Sequence, residues 1–361
     1  MPFFAWLIGL GGACEFGLRA VGFQQVPSGL ESDAAWDPDQ DPLFPLNDGL
    51  HARDARLLWS PIPGAPIAAD GDERINASGY RGPELFRWKT PGVLRIALLS
   101  DEATFGATVS WNETYAAQLA LRMEEPAEVL NAAVIGFTVE QGIERYAQLV
   151  RSHHPDVVVI AFGGIEEARP ALATDDRSKL ALLALRTSNW PWTAPRASLD
   201  LRSVQALLWL VGGEADHPQA RLKLRAFQAQ NREAQAGSLA DNGAVEWKGQ
   251  RRVPVWIFEE ALQRLVELVL QDGARAVLLS MPRDQESEHA STVLVSYASA
   301  LHIAGQRANV PLCDARRAFR REIAQGVEAS ELLRNGSVLT ARGNALLADL
   351  VADTIATSGT N

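Results

Sequence analysis

Acyl-transfer chemistry needs a nucleophilic serine or cysteine, a histidine that takes its proton and a carboxylate that orients the histidine. Among the six histidines of the sequence, His217 follows an aspartate and imitates such an Asp-His motif. Ser100 ends a continuous apolar run. The two cysteines, Cys14 and Cys313, lack the spacing of a metal site. These residues lie far apart in the sequence, so the elements that position them must be considered next.

Short apolar runs alternate with helical stretches from residue 93 onward. The first run, 93–99, is almost continuously apolar, as expected of a strand buried on both faces. The predicted strands are 93–99, 128–134, 156–162, 274–280 and 310–312, and the predicted helices are 113–123, 139–152, 256–272, 291–308 and 341–356. This alternation indicates right-handed βαβ units and a parallel sheet with helices on both faces. Ligands of such sheets bind beside the carboxyl ends of the strands.

Two stretches depart from the alternation. Residues 24–70, rich in Pro, Asp and Gly, are predicted to be an extended tether with short strands, and the stretch 24–92 as a whole leads into an α/β domain over 93–356. Residues from about 170 to 250 are predicted to form a helical insertion in that domain. The tryptophans in or beside the insertion either close it onto the sheet or form a surface for a partner. They are Trp190, Trp192, Trp209, Trp247 and Trp256.

The N-terminal stretch is apolar. Residues 2–18 contain one charged residue, Glu15, and lack the basic segment of a cleaved signal peptide. A bilayer-spanning helix needs about 20 apolar residues, so the stretch is marginally short. We expect a membrane anchor within residues 1–23, and the alternative is a buried helix of the domain. The net charge of −10 disfavours nucleic acid and anionic lipid as partners, since both favour a basic face, and leaves a local basic patch open.

Motifs occupy the loops that follow the predicted strands. The segments 96–106, 130–136, 157–166 and 333–344 resemble, in order and spacing, the sequence blocks of the SGNH (GDSL-type) hydrolases. The segment 75–84 resembles one found in membrane-anchored members of that family. The resemblance implies a three-layer α/β/α sandwich with a flavodoxin-like parallel sheet. It also implies that ester hydrolysis is the ancestral chemistry.

The resemblance identifies the catalytic positions of the family, and this sequence departs from the pattern at most of them. Glu102 occupies the position of the nucleophilic serine, and Ile165 that of the asparagine in the oxyanion hole. Asn335 and Val338 occupy the positions of the orienting aspartate and the histidine base. Gly136, whose backbone N–H would donate to the oxyanion, is retained. We therefore predict a degenerate member without catalytic residues.

The same alignment predicts a remnant pocket of polar residues. Glu102 and Glu166 begin adjacent loops, and two close carboxylates raise each other's pKa and could form a general acid–base pair. With Asp101 and Asn335 they could instead bind a divalent cation weakly. The alternative, which we favour, is that Glu102 pairs with an arginine or faces water. The predicted pocket residues are Asp101, Glu102, Gly136, Glu166 and Asn335, with no cofactor and no metal ion expected.

Two functions follow from these observations. The first is a non-catalytic binding or assembly subunit of the cell envelope, anchored through residues 2–18, with its domain periplasmic or otherwise extracytoplasmic. Its expected partner is a protein, for which a membrane protein is one candidate. The second is an active esterase or acyltransferase on carbohydrate or lipid esters that uses non-standard residues. A free serine beside a histidine at the carboxyl edge of the sheet would favour the second.

Overall fold

The computed structural model describes residues 14–21, 48–68, 71–172, 174–187, 203, 247–283 and 292–358. The strands are β1 (His51–Asp54), β2 (Leu58–Pro61), β3 (Leu94–Ser100), β4 (Ala127–Asn131), β5 (Val157–Ala161), β6 (Arg275–Ser280), β7 (Leu312–Asp314), β8 (Leu333–Arg334) and β9 (Val338–Leu339). The helices are α1 (Glu102–Phe105), α2 (Tyr115–Arg122), α3 (Val139–Gln148), α4 (Ile165–Ala168), α5 (Asp176–Thr187), α6 (Val255–Gln271), α7 (Thr292–Ala308), α8 (Ala315–Ala324), α9 (Ala329–Leu332) and α10 (Ala341–Thr357). Short 3₁₀ helices cover Trp111–Glu113 and Val150–His153, and residues 14–20 are also helical.

A sheet of five parallel strands forms the centre of the domain. Its strand order is β4-β3-β5-β6-β7, so the order reverses at β3. The register pairs Ser100 with Ala161 and Ser280 with Asp314, which brings the carboxyl ends of these strands to one edge. In doubly wound sheets the loops at such a reversal form the crevice where ligands bind.

Helices cover both faces of this sheet. On one face α3, α6 and α7 pack over a core that includes Ala97 and Leu99 of β3. On the other face α2, α8 and α10 pack over Ile96 and Leu98. Alternate residues of β3 therefore point to opposite faces, as the two-residue period of a strand requires. The predicted three-layer α/β/α sandwich with a parallel sheet is confirmed.

Some elements differ from those predicted. β7 begins and ends two residues later than the predicted strand 310–312. The predicted strand 128–134 ends at Asn131, where the chain enters the loop at the carboxyl edge. Helix α8 has no predicted counterpart: within it only Ala315 and Phe319 are buried, so its apolar face is too narrow to give a clear helical pattern.

The described part of the lead-in packs on the domain rather than forming an extended tether. β1 and β2 form an antiparallel hairpin, and Leu57, Leu58 and Trp59 belong to the core beneath one helical layer. The guanidinium of Arg81 is buried and donates to the carbonyl of Phe105 at 2.8 Å. These residues pack inward because the apolar run 57–59 covers one end of the sheet. Residues 24–47 of the predicted tether lie outside the described ranges.

Most of the predicted insertion and of the predicted anchor lies outside the described residues. From the insertion, α5 and residues 203 and 247–250 are described, and Trp190, Trp192 and Trp209 are not. Trp256, at the start of α6, is 62% exposed. Residues 2–13 are not described either. Within the described ranges, none of the helices has the length and apolar character needed to cross a bilayer.

Candidate functional site

The first loop of the carboxyl edge holds Asp101 and Glu102. Asp101 is buried directly after β3, and its Oδ1 accepts a hydrogen bond at 3.1 Å from the backbone N–H of Ala103, which caps α1. Glu102 is the first residue of α1, and its side chain is exposed. Ser100 is buried and donates to the carbonyl of Ala161 at 2.7 Å. Its hydroxyl therefore joins β3 to β5 and does not face the crevice.

The second loop presents Gly136. Its φ of 78° lies in the left-handed region that favours glycine, and an added Cβ would lie 3.2 Å from the ring of Trp59. Trp59 comes from β2, and its indole N–H donates to the carbonyl of Ile135 at 3.1 Å. The hairpin β1–β2 therefore covers the second loop.

The third loop turns through Gly163 and Gly164 into α4. Ile165 is half-buried at the start of this helix, and Glu166 and Glu167 follow it as buried side chains. The carboxylate of Glu167 accepts hydrogen bonds from the backbone N–H of Gly164 at 2.8 Å and of Val139 at 3.2 Å. Glu167 therefore ties the third loop to the start of α3.

Arg252 is the charged centre of the site. Its side chain is buried, and its Nη1 donates to Oε2 of Glu166 at 2.7 Å and to the carbonyl of Gly136 at 2.9 Å. The guanidinium carbon lies 5.5 Å from the ring centroid of Trp59, which places the cation over the indole. A cation thus connects the second and third loops of the carboxyl edge.

The other side of the same guanidinium is also paired. Nε and Nη2 of Arg252 donate to Oδ2 of Asp176, at 3.0 and 2.7 Å, and Asp176 is buried at the start of α5. Nη2 also donates to the side chain of Gln141 at 3.1 Å, and Thr138 donates to Asp176 at 3.1 Å. Burial lowers the pKa of Arg252, but Asp176 and Glu166 outweigh it and hold the pKa above its usual value. The guanidinium stays charged because two carboxylates compensate it.

Two other carboxyl groups at this edge have raised pKa values. Burial, assisted by the nearby charge of Glu166, raises the pKa of Asp101 to about 6. Burial and the charge of Asp101 raise the pKa of Glu167 to about 8. Asp101, Glu166 and Glu167 thus form a cluster of acids in which burial and mutual repulsion favour the protonated form of Glu167, while two backbone N–H groups favour its charged form.

The sequence predicted that Glu102 could approach Glu166, but the structure shows the carboxylate of Glu166 paired with arginines. Both carboxylate oxygens of Glu166 are bonded to arginines, Oε2 to Arg252 and Oε1 to Arg169 at 2.9 Å. Glu102, in contrast, is exposed. Within the described ranges, no group of three or more His, Cys, Asp or Glu side chains is arranged to hold a metal ion.

The last block forms a hairpin before α10. Asn335 lies at its turn with a φ of 50° and an exposed side chain, and Val338 in β9 is half-buried. Thr340 caps α10 by accepting from the N–H of Gly343 at 3.0 Å. A side chain at Gly343 would collide with the carbonyl of Leu332. The threonine and the glycine of this block therefore have structural roles.

A narrow cleft opens at the carboxyl edge beside Asp101. Gly164, Ser280, Arg283 and Arg316 line it together with Asp101. Its volume of about 40 Å³ is comparable to that of a few water molecules. The cleft therefore lies between the first and third loops and the residues that follow β6 and β7.

The sequence interpretation identified Asp101, Glu102, Gly136, Glu166 and Asn335 and missed the residues that organise them. Asp176 and Trp59 come from segments that were predicted as insertion and tether, and Arg252 lies between the insertion and α6. The one local signal is the position of Arg252 just before the apolar start of α6, where a charged side chain is unexpected unless it is paired.

No family model matches the chain, and no curated protein matches it. Solved structures similar to it include the lipase/acylhydrolase from Enterococcus faecalis, with 18% identity over 73% of this chain and 96% of that chain and a TM-score of 0.43. LAE5, an alpha/beta hydrolase enzyme from the metagenome of Lake Arreo, has 15% identity over 74% of this chain and 96% of that chain, with a TM-score of 0.46. A catalytic mutant of the acetylxylan esterase Axe2 from Geobacillus stearothermophilus has 15% identity over 73% of this chain and 94% of that chain, with a TM-score of 0.43. At these identities the likeness concerns the α/β fold alone.

Proposed function

We propose that this chain is a non-catalytic relative of the SGNH hydrolases that acts as a binding or assembly subunit. The observation that carries the proposal is the position of Arg252, which bonds to the carbonyl of Gly136 and to Glu166. A cation tied to two buried carboxylates there holds the two loops together and leaves its N–H groups engaged. The loops of a hydrolase would instead keep donors available for an oxyanion.

The residues at the catalytic positions support the same proposal. Glu102 carries no hydroxyl nucleophile, Ile165 has no donor for an oxyanion, and Val338 cannot accept a proton. Catalytic groups of this kind act as a unit, so the loss of all of them leaves little beyond background. The proposed location is the cell envelope, through the apolar residues 2–18, with the domain outside the cytoplasm and a protein as partner.

The test is a search for a reactive serine in the full chain. The purified protein is incubated with a fluorophosphonate probe and, separately, with short-chain nitrophenyl esters and acetylated sugars. An active serine esterase serves as the positive control, and the heat-denatured chain reports the background. We expect no labelling and no hydrolysis above that background. Stoichiometric labelling of one serine would overturn the proposal and favour an esterase or acyltransferase that uses non-standard residues.

A further inference from the structure

The loop of residues 86–89, at the amino-terminal edge of the sheet, is held in place by hydrogen bonds from buried or partly buried charged side chains. Arg95 of β3 is fully buried, and its Nη2 donates to the carbonyl of Phe86 at 2.9 Å. Its Nη1 donates to the carbonyls of Arg87 at 3.1 Å and of His153 at 2.5 Å. Lys89, two residues further on, is bonded to Asp156 at 2.5 Å. The backbone of residues 86–89 is therefore fixed to the domain by buried or partly buried charge.

The side chains of this braced loop point outward. Phe86 is 84% exposed and Trp88 is 78% exposed, the two largest exposures of aromatic rings among the described residues. Arg87, between them, is exposed as well, and so is Thr90. Large apolar side chains held in water by a rigid backbone are unfavourable unless something covers them. The loop is therefore a preformed contact element.

We propose that Phe86 and Trp88 insert into the interface of a phospholipid membrane, with Arg87 facing the lipid phosphates. Aromatic rings combined with basic side chains are the combination that favours the boundary between headgroups and acyl chains. A phosphate headgroup complements the charge of Arg87.

The position of the loop gives the orientation of the domain. It precedes β3 and contacts Asp156 immediately before β5, so it lies at the edge of the sheet opposite to Asp101 and Gly136. Insertion of the loop would turn the carboxyl edge away from the lipid surface. The inference rests on the proposed envelope location, since a membrane must be near, and is independent of the proposed loss of hydrolysis.

The experiment places a fluorescent reporter beside the aromatic pair without removing it. In the full chain, Cys14 is exposed and is replaced by serine, whereas Cys313 is buried and its pKa is raised to about 11, so it resists labelling. Thr90→Cys carries the polarity-sensitive dye NBD, and Gln263→Cys on α6 carries it as the distal control. Each protein is mixed with vesicles of phosphatidylcholine and phosphatidylglycerol, and vesicle binding is followed by cosedimentation.

We expect a blue shift and a severalfold rise of NBD emission at position 90 and none at position 263. With Phe86→Ser and Trp88→Ser added, the signal at position 90 should vanish while cosedimentation through residues 2–18 continues. Cosedimentation with equal signals at both positions would overturn the loop insertion and leave the anchor in place. Absence of cosedimentation would overturn both the insertion and the envelope location. A fluorescence signal that appears without vesicles and grows with protein concentration would overturn the lipid proposal and show that the loop contacts a second copy of the chain.

Discussion

The guanidinium of Arg252 and the carboxylate of Glu166 lie 2.7 Å apart, and both side chains are buried. Glu166 stands in the loop after β5, and Arg252 stands just before α6, beyond the insertion. The pair therefore joins the two ends of the inserted segment to the carboxyl edge of the sheet. Its contribution to stability can be measured separately from any chemistry.

Replacing Arg252 with alanine should destabilise the fold strongly. The change leaves the carboxylate of Asp176 buried without its cation and Glu166 paired with Arg169 alone, and breaking such a buried pair typically costs about 3–5 kcal/mol. Urea unfolding gives the free energy of unfolding of each variant. The matched control is Arg122→Ala, which breaks the exposed pair with Asp349 and should cost less than about 1 kcal/mol. Equal losses in the two variants would contradict the role of Arg252.

The pH dependence of stability should carry the signature of Glu167. Its pKa is raised from 4.5 to about 8 in the folded protein, so the folded state binds the proton more tightly than the unfolded state. The contribution of Glu167 to the free energy of unfolding is therefore fully present below the pKa of the unfolded chain and is lost as the pH rises towards about 8. Because one pKa unit corresponds to about 1.4 kcal/mol, we expect a loss of several kcal/mol across this window.

The variant that isolates this group is Glu167→Gln, which cannot ionise. Its free energy of unfolding, measured in urea across the same pH range, should fall less steeply than that of the unmodified chain. Asp101, whose pKa is raised to about 6, adds a smaller fall in the same direction to both proteins. Parallel curves would show that Glu167 is ionised in the folded protein.

Restoring the nucleophile alone should not restore hydrolysis. Glu102→Ser places a hydroxyl at the exposed start of α1, but Val338 cannot take its proton and Ile165 cannot donate to an oxyanion. Initial rates with an activated ester should match those of Glu102→Ala, which is the control for changes in charge. A rate well above that control would reveal a base that the alignment of the last block has missed.

Truncation should separate the N-terminal stretch from the domain. A chain that begins at residue 24 retains the β1–β2 hairpin and should be soluble and cooperatively folded. A chain that begins at residue 62 loses Leu57, Leu58 and Trp59, each worth about 1.5–3 kcal/mol of burial. Circular dichroism during thermal unfolding compares the two. If the chain from residue 24 is unfolded, residues 2–18 belong to the core and the anchor proposal is wrong.

The sheet could be predicted from the sequence because its strands are locally apolar. β3, β5 and β6 lie within one residue of their predicted bounds, since runs buried on both faces give a strong local signal. β7 has only three residues, and its predicted position was shifted by two. A short edge strand depends on its single neighbour, β6, and this dependence is not visible in its own residues.

The site could be predicted only in part. The loops after β3, β4 and β5 were identified because the carboxyl edge of a parallel sheet gathers them. Arg252 was missed because its partners are Glu166 and Asp176, each more than 70 residues away in the chain. An ion pair between residues so far apart in the chain produces no periodic pattern in the amino-acid sequence. The same applies to Trp59, whose contact with the second loop spans 76 residues.

The network around Arg252 also bears on the evolutionary history of the chain. Under the proposed function, a serine introduced at position 102 brings no gain in activity while Arg252 stays bonded to the carbonyl of Gly136 and to Glu166. Removing Arg252 first would leave Asp176 buried without its cation and Glu166 with Arg169 alone. Either order of substitutions passes through a less stable or inactive intermediate, so the bonded set of Arg252, Glu166 and Asp176 should persist. Descendants of this chain should retain Arg252 and its two acids together, as a covarying set.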